Sequence, residues 1–178
     1  MTLPLSFSPP MLLRGADWEE VASFYPAGDP VRQIERASIR RFVELHAGNL
    51  RGRVLDFGAG KQPYRYLVHG EYIPMELGDE PGKDFDAILC TQVMQYLAQP
   101  GQVLEWFWEA LKPSGYLVMT YPTNWPEVEA GDFWRFTKRG MDRLLRQARF
   151  SIHAHELRAE VVQGSNKFAL GYGVVAQK

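Results

Sequence analysis

The residues best suited to chemistry stand together in Val54-Leu55-Asp56-Phe57-Gly58-Ala59-Gly60-Lys61-Gln62-Pro63-Tyr64. An apolar run carries an acid near its end, and a Gly-x-Gly turn follows. Val54 to Phe57 read as a short buried strand. Open parallel sheets bind ligands beyond the carboxyl ends of their strands. Gly58 and Gly60 let the backbone turn sharply and approach a ligand closely. A dinucleotide fingerprint needs a third glycine at position 63, and the chain has Pro63 there. Asp56, two residues before the first glycine, would repel a phosphate. It suits a cation such as an ammonium. Pro63 and Asp56 together disfavour a nicotinamide oxidoreductase. The plain alternative is a tight turn between strand and helix with no ligand.

The elements that must position this turn alternate strand and helix. Asp29-Pro30 reads as a helix start, with Asp29 as cap and Pro30 at the first helical position. Ile39, Phe42, Val43 and His46 recur on one helical face, and Gly48 marks the stop. A short helix is expected around Tyr64–Val68, then strands at Tyr72–Glu76 and Asp86–Cys90, and a short helix around Val93–Leu97. Val103, Leu104, Phe107, Ala110 and Leu111 mark an amphipathic helix, followed by a strand at Tyr116–Thr120. Thr137 can cap a helix carrying Met141, Leu144, Leu145 and Ala148. Two last strands, about 151–158 and 168–176, read as an antiparallel pair. This is an α/β chain with a doubly wound, mostly parallel sheet of about six strands. Residues 1–29, with Pro4, Pro9, Pro10 and Pro26, read as an irregular arm, and 30–178 as one domain. The arm is read as a lid, a packing strap or a homodimer contact.

The ordered motifs resemble the Rossmann-like class I S-adenosylmethionine-dependent methyltransferases, in their small-molecule branch. Asp56-Phe57-Gly58-Ala59-Gly60 looks like their glycine motif. Phe85-Asp86-Ala87-Ile88-Leu89-Cys90-Thr91-Gln92-Val93 looks like their fourth-strand motif. Leu111-Lys112-Pro113-Ser114-Gly115-Tyr116 and Asp132-Phe133-Trp134-Arg135-Phe136-Thr137 resemble later blocks. The resemblance implies that Gly58 and Gly60 line the methionine part of S-adenosylmethionine. It implies that Asp56 reads the amino group, directly or through water. Glu76, with Asp79 as the alternative, would take the ribose hydroxyls, a charge-assisted bidentate contact. Thr91 and Gln92 would lie near the sulfonium and the acceptor.

The chain departs from that family in one place. Only residues 77–84 separate Glu76 from Phe85. Eight residues cannot hold a helix and a parallel strand, because such a crossover needs about a dozen or more. The third, edge strand of the family is therefore expected to be missing. Pro74 cannot donate to a ladder, so it fits only if its strand has become the edge. The missing strand would normally contribute to the adenine site. Two further departures are Gln62 in place of a frequent glycine and Gln95-Tyr96 in place of a frequent acid and histidine. Gln62 is expected to open a helix.

By the same resemblance, the acceptor side follows the last parallel strand. Asn124, Trp125, Phe133, Trp134 and Arg135 are its candidate lining, with aromatics to stack on an acceptor and Arg135 to pair with an anion. Asp132 and Tyr121 are the candidate catalytic residues. The expected function is direct methyl transfer from S-adenosylmethionine to a small molecule. The alternative is a methyltransferase-like binding or accessory protein with weak or lost cofactor binding. His46 reads as packing, and His153 and His155 as solvated strand residues, since two histidines make a poor metal site. Of Trp106 and Trp108, at most one is expected in the core, the other being an interface candidate.

Composition excludes broad classes. The chain has 178 residues, 20 basic and 21 acidic side chains, and a net charge of -1. Near-neutrality disfavours a protein built to coat nucleic acid. Arg-rich faces at Arg32, Arg36, Arg40 and Arg41 and on the late helix read as solvated. Cys90 is the lone cysteine, which points to a reducing, cytoplasmic setting. No apolar run approaches the ~20 residues of a membrane span.

Overall fold

The computed structural model describes residues 30–76, 82–127, 131–163 and 165–178. Among the described residues three helices, α1 (Pro30–Leu45), α2 (Pro100–Ala110) and α3 (Lys138–Gln147), pack on one six-stranded sheet. Its strands are β1 (Arg51–Phe57), β2 (His69–Met75), β3 (Phe85–Thr91), β4 (Leu111–Pro122), β5 (Ser151–Gln163) and β6 (Asn166–Gln177). They lie in the order β2-β1-β3-β4-β6-β5. The first four are parallel, and β6 runs antiparallel to both β4 and β5. The expected α/β architecture with its C-terminal hairpin is thus present.

Alternation along the strands builds the two layers. Leu55, Phe57, Ile88, Cys90, Leu117 and Met119 face α2 and α3 and bury Val103, Leu104, Phe107, Met141 and Leu145. Val54, Ala87, Leu89 and Val118 face the other way, onto Ile39, Phe42 and Val43 of α1. Strands buried on both faces read as apolar runs, which is why β1, β3 and β4 were visible in the sequence. Thr137 caps α3 by accepting a hydrogen bond from the Gly140 amide at 3.1 Å. His46 packs its ring on Phe42, 4.5 Å between centroids.

β2 stands at the edge of the described sheet, paired only with β1 there, and Pro74 lies opposite Asp56. Among the described residues no strand lies beyond β2, as the inference of a missing third strand requires. A proline is tolerated at this position because its outward side has no ladder to feed in the described sheet. Among the described residues no helix is long and apolar enough to cross a membrane.

Several expectations need correction. The helices expected at Tyr64–Val68 and Val93–Leu97 are single 3-10 turns, Arg65–Leu67 and Met94–Tyr96. β4 begins at Leu111, because Leu111 pairs with Phe85 ahead of a register shift that absorbs the Lys112–Gly115 turn. The expectation that at most one of Trp106 and Trp108 is core stands, since neither is fully buried and both pack half-buried against the edge of the same cluster. Trp106 tilts onto Phe57 and Phe107, while Trp108 lies beneath the Arg149 guanidinium at 3.6 Å and the Lys178 ammonium at 4.3 Å. Long aromatic side chains reach the core edge from flanking positions of the helix. The arm 1–29, Asp29 and Asp79 lie outside the described residues.

The β1–β2 pair also makes a test of the edge. Gly70 has φ +147° and lies opposite Gly52. A Cβ there would sit 2.2 Å from the Gly52 carbonyl oxygen, which is backbone and cannot step aside. Gly70→Ala is expected to cost about 2 kcal/mol or more of stability, read by urea unfolding. An unchanged midpoint would show that the edge pair is not held in this register.

Candidate active site

The carboxyl ends of β1, β2, β3 and β4 meet on one rim of the sheet, and the candidate residues lie along it. Beyond Phe57 the chain turns through Gly58 (φ +71°) and Gly60 (φ +49°). The Gly58 amide donates to the Met75 carbonyl at 2.9 Å, tying the turn to the end of β2. A Cβ on Gly58 would come within 2.6 Å of Val93, whereas one on Gly60 would meet open space. Gly58 is thus needed for packing and for φ, and Gly60 for φ at an open surface. Gln62 also holds φ +55°, and its amide donates to Ala59. It does not open a helix as expected. It occupies a left-handed position that a glycine would take without strain.

Asp56 sits under this turn and is 2% exposed. Its Oδ2 accepts a hydrogen bond from the Tyr72 phenol at 2.6 Å. Burial pushes its carboxyl up to about 6, the Tyr72 hydrogen bond pulls down, and the nearby Glu76 charge pushes up again. Glu76 follows β2, and its Oε1 accepts from the Gly60 amide at 2.8 Å. The structure therefore brings Asp56, Gly58, Gly60 and Glu76 into one cluster. A buried acid, an open glycine turn and a second acid at the end of β2 are of the types that the ammonium and hydroxyls of S-adenosylmethionine require.

Thr91 ends β3 beside Thr120 of β4. Gln92 follows with φ +58°, a strained position for a residue with a side chain. Its amide donates to the Thr120 carbonyl at 3.0 Å and its side-chain amide to Thr120 Oγ1 at 3.3 Å. Gln95 is 4% exposed and donates Nε2 to the Gln92 carbonyl at 2.8 Å. Its own carbonyl accepts from the Phe133 and Trp134 amides. The segment after β4 is thereby pinned to the tip of β3.

Asp132 and Arg135 face each other. Two guanidinium nitrogens reach the two Asp132 oxygens, each at 2.5 Å, and Asp132 is 8% exposed. Arg135 also donates to the carbonyls of Trp125, Pro126 and Trp134. This charge-assisted bidentate pair raises the Arg135 pKa and staples its own loop. Trp134 donates Nε1 to the Leu97 carbonyl at 2.8 Å, yet its ring and that of Phe133 stay about half exposed. Asn124 is exposed and Trp125 half-buried.

Tyr121 is fully buried at the end of β4. Its hydroxyl meets His155 Nε2 at 2.5 Å, and His155 Nδ1 meets Asp142 Oδ1 at 2.5 Å. Burial lowers the His155 pKa, against the pull of Asp142. His155 is not the solvated residue expected, since its side chain is 3% exposed. The reason is a register shift between Ile152 and Ala154, which separates His155 from the exposed His153. Tyr72 was also missed. No local spacing signals it, because only the β1–β2 register, with Pro74 opposite Asp56, brings Tyr72 two residues back onto the same face.

Comparison with known proteins agrees with this geometry. A family described as "Methyltransferase domain" matches residues 31–161. No curated protein matches the sequence significantly. The fold is similar to that of Burkholderia thailandensis 1,6-didemethyltoxoflavin-N1-methyltransferase, solved with 1,6-didemethyltoxoflavin and S-adenosylhomocysteine bound. The identity is 19% and the TM-score 0.62, over 90% of this chain and 86% of that one. It is also similar to an Archaeoglobus fulgidus SAM-dependent methyltransferase, at 14% identity and TM-score 0.60, over 83% and 94% of the two chains. The [4+2]-cyclase SpnF shares it as well, at 16% identity and TM-score 0.55, over 78% and 80%. With the family matched over most of the chain and the glycine turn flanked by Asp56 and Glu76, the chain belongs to the methyltransferase-domain family, the Rossmann-like class I methyltransferases that use S-adenosylmethionine.

Proposed function

We propose that the protein transfers the methyl group of S-adenosylmethionine to a small-molecule acceptor by direct displacement. The observation that carries this reading is the half-exposed pair Phe133 and Trp134, pinned through Gln95 to the tip of β3 where the transferred group would lie. Exposed rings held by backbone hydrogen bonds form a rigid stacking edge for a small planar or apolar acceptor. Gly58, Gly60, Asp56 and Glu76 would hold the cofactor, with Thr91 and Gln92 beside its sulfonium and Asn124, Trp125 and Arg135 along the acceptor side. When bound, S-adenosylmethionine supplies a methyl group activated by the sulfonium.

The protein's part in such a displacement is alignment and exclusion of water. Asp132 and Tyr121, the candidate catalytic residues, fit that part through their partners. Asp132 fixes Arg135 and hence the loop, and Tyr121 anchors the end of β4 through His155 and Asp142. The lone Cys90, fully buried, accords with a reducing cytoplasmic setting. The second reading, a methyltransferase-like binding protein with weak or lost cofactor binding, is favoured by β2 standing at the edge on the adenine side.

The test is transfer of labelled methyl from S-adenosylmethionine into a cell extract separated by size. Label in the low-mass fraction is expected. Label confined to protein or nucleic acid would overturn the small-molecule reading. Label nowhere, with no saturable binding of the cofactor, would favour the second.

A further inference from the structure

The ammonium-reading acid has a partner that the glycine motif does not contain. Asp56 lies on β1 with Pro74 directly opposite it on β2, and Tyr72 lies opposite Val54. Residues two apart on a strand share a face. Tyr72 therefore stands beside Asp56 on the α1 side, and its long side chain leans along β2 to bring the phenol within 2.6 Å of Oδ2. The Arg65 guanidinium lies over the Tyr72 ring at 5.4 Å and holds it from the outside.

We propose that Tyr72 is a positioning residue for the cofactor's ammonium, holding one oxygen of the Asp56 carboxylate so that the other faces the cation. This rests on the assignment of Asp56 to the amino group. A carboxylate that is 2% exposed is costly unless hydrogen-bonded or paired. Tyr72 supplies the hydrogen bond in the ligand-free state, and the ammonium would supply the pair. The titratable groups that bear on Asp56 come from each neighbouring strand and turn. Tyr72 lies on β2 and Glu76 just beyond it, Tyr64 in the glycine turn and Cys90 on β3. Of these, Tyr72 favours the ionised form and Glu76 opposes it. Loss of the phenol would then leave more of Asp56 protonated in weakly acidic solution, where a neutral acid attracts an ammonium poorly.

The experiment titrates the whole chain with two ligands, S-adenosylmethionine and 5′-methylthioadenosine, which lacks the amino-acid arm. It compares wild type, Tyr72→Phe and Asp56→Asn at about pH 6 and pH 7.5, below the ordinary α-amino range of about 7.7–8.0. Tyr72→Phe is expected to weaken S-adenosylmethionine by about five-fold at the lower pH and by less than about two-fold at the higher, as an about ten-fold tighter hold on the Asp56 proton would produce. Methylthioadenosine binding should stay within about two-fold. Two results overturn the proposal while leaving the Asp56 assignment intact. One is unchanged S-adenosylmethionine binding in Tyr72→Phe. The other is an equal loss of both ligands at both pH values, which marks a structural role only. If Asp56→Asn itself leaves S-adenosylmethionine binding unchanged, the assignment of Asp56 falls, and the role of Tyr72 with it.

Discussion

Asp56→Asn is expected to abolish high-affinity binding of S-adenosylmethionine and, at the same time, to make the ligand-free protein more stable at pH 7. The sign follows from linkage. The folded carboxyl sits at about 6 against an ordinary value of 3.8, so the native state holds that proton more tightly than the unfolded chain does. The stability this proton contributes is fully present below about pH 4. It is lost as pH rises through about 6, and at pH 7 the charge is a net cost. A shift of this size corresponds to about 2–3 kcal/mol. Asparagine removes the charge and keeps an oxygen to accept from Tyr72, so most of that cost should be recovered at pH 7 and none near pH 4. Urea unfolding at the two pH values checks it. A variant less stable than wild type at both would show that Asp56 is a structural acid rather than one held ready for a cation.

The second large effect is expected at Arg158. Its side chain is fully buried on β5 and donates to Glu35 Oε1 at 2.8 Å and Ser38 Oγ at 2.9 Å, both on α1. It also donates to the carbonyls of Tyr172 at 3.0 Å and Tyr121 at 3.3 Å. One side chain thus ties α1 to β5, β6 and the rim end of β4. Glu35 Oε2 is buried with no hydrogen-bond partner among the described residues, so Glu35 depends on this pairing. Arg158→Met leaves an uncompensated buried acid and is expected to cost about 3–5 kcal/mol. Adding Glu35→Leu should return a large part of that loss, because the orphaned charge is what costs most. Chemical unfolding of the two singles and the double closes the cycle. Additive losses would mean that the pair is not coupled. The space for this guanidinium is made by Gly171, where a Cβ would fall 2.1 Å from Arg158 Nη2.

Much of the fold was legible because the central strands bury both faces and the turns carry glycine. Asp56-Phe57-Gly58-Ala59-Gly60 placed the rim, and the eight residues between Glu76 and Phe85 placed the sheet edge at β2. Thr137 marked the start of α3. What stayed hidden depends on register between strands. Tyr72 reaches Asp56 only because Pro74 pairs with it, and no local pattern encodes that pairing. His155 turns inward because a bulge breaks the alternation of β5, so period-two reasoning put it beside His153 in solvent. Asp132 and Arg135 stand three residues apart with opposite charge, a spacing that permits their pairing without dictating it. Geometry now makes them a staple for the loop that carries Phe133 and Trp134.

The glycine turn, with Asp56 and Glu76 on either side, is expected to hold S-adenosylmethionine although β2 is the edge of the described sheet. Calorimetric titration of the full chain with S-adenosylmethionine, beside Glu76→Ala, tests it most directly. The expected result is saturable binding at one site per chain, weakened about ten-fold or more by Glu76→Ala through loss of a bidentate charge-assisted contact. No heat at millimolar cofactor would mean that the turn does not hold it, and equal affinity in the two proteins would mean that Glu76 takes no part.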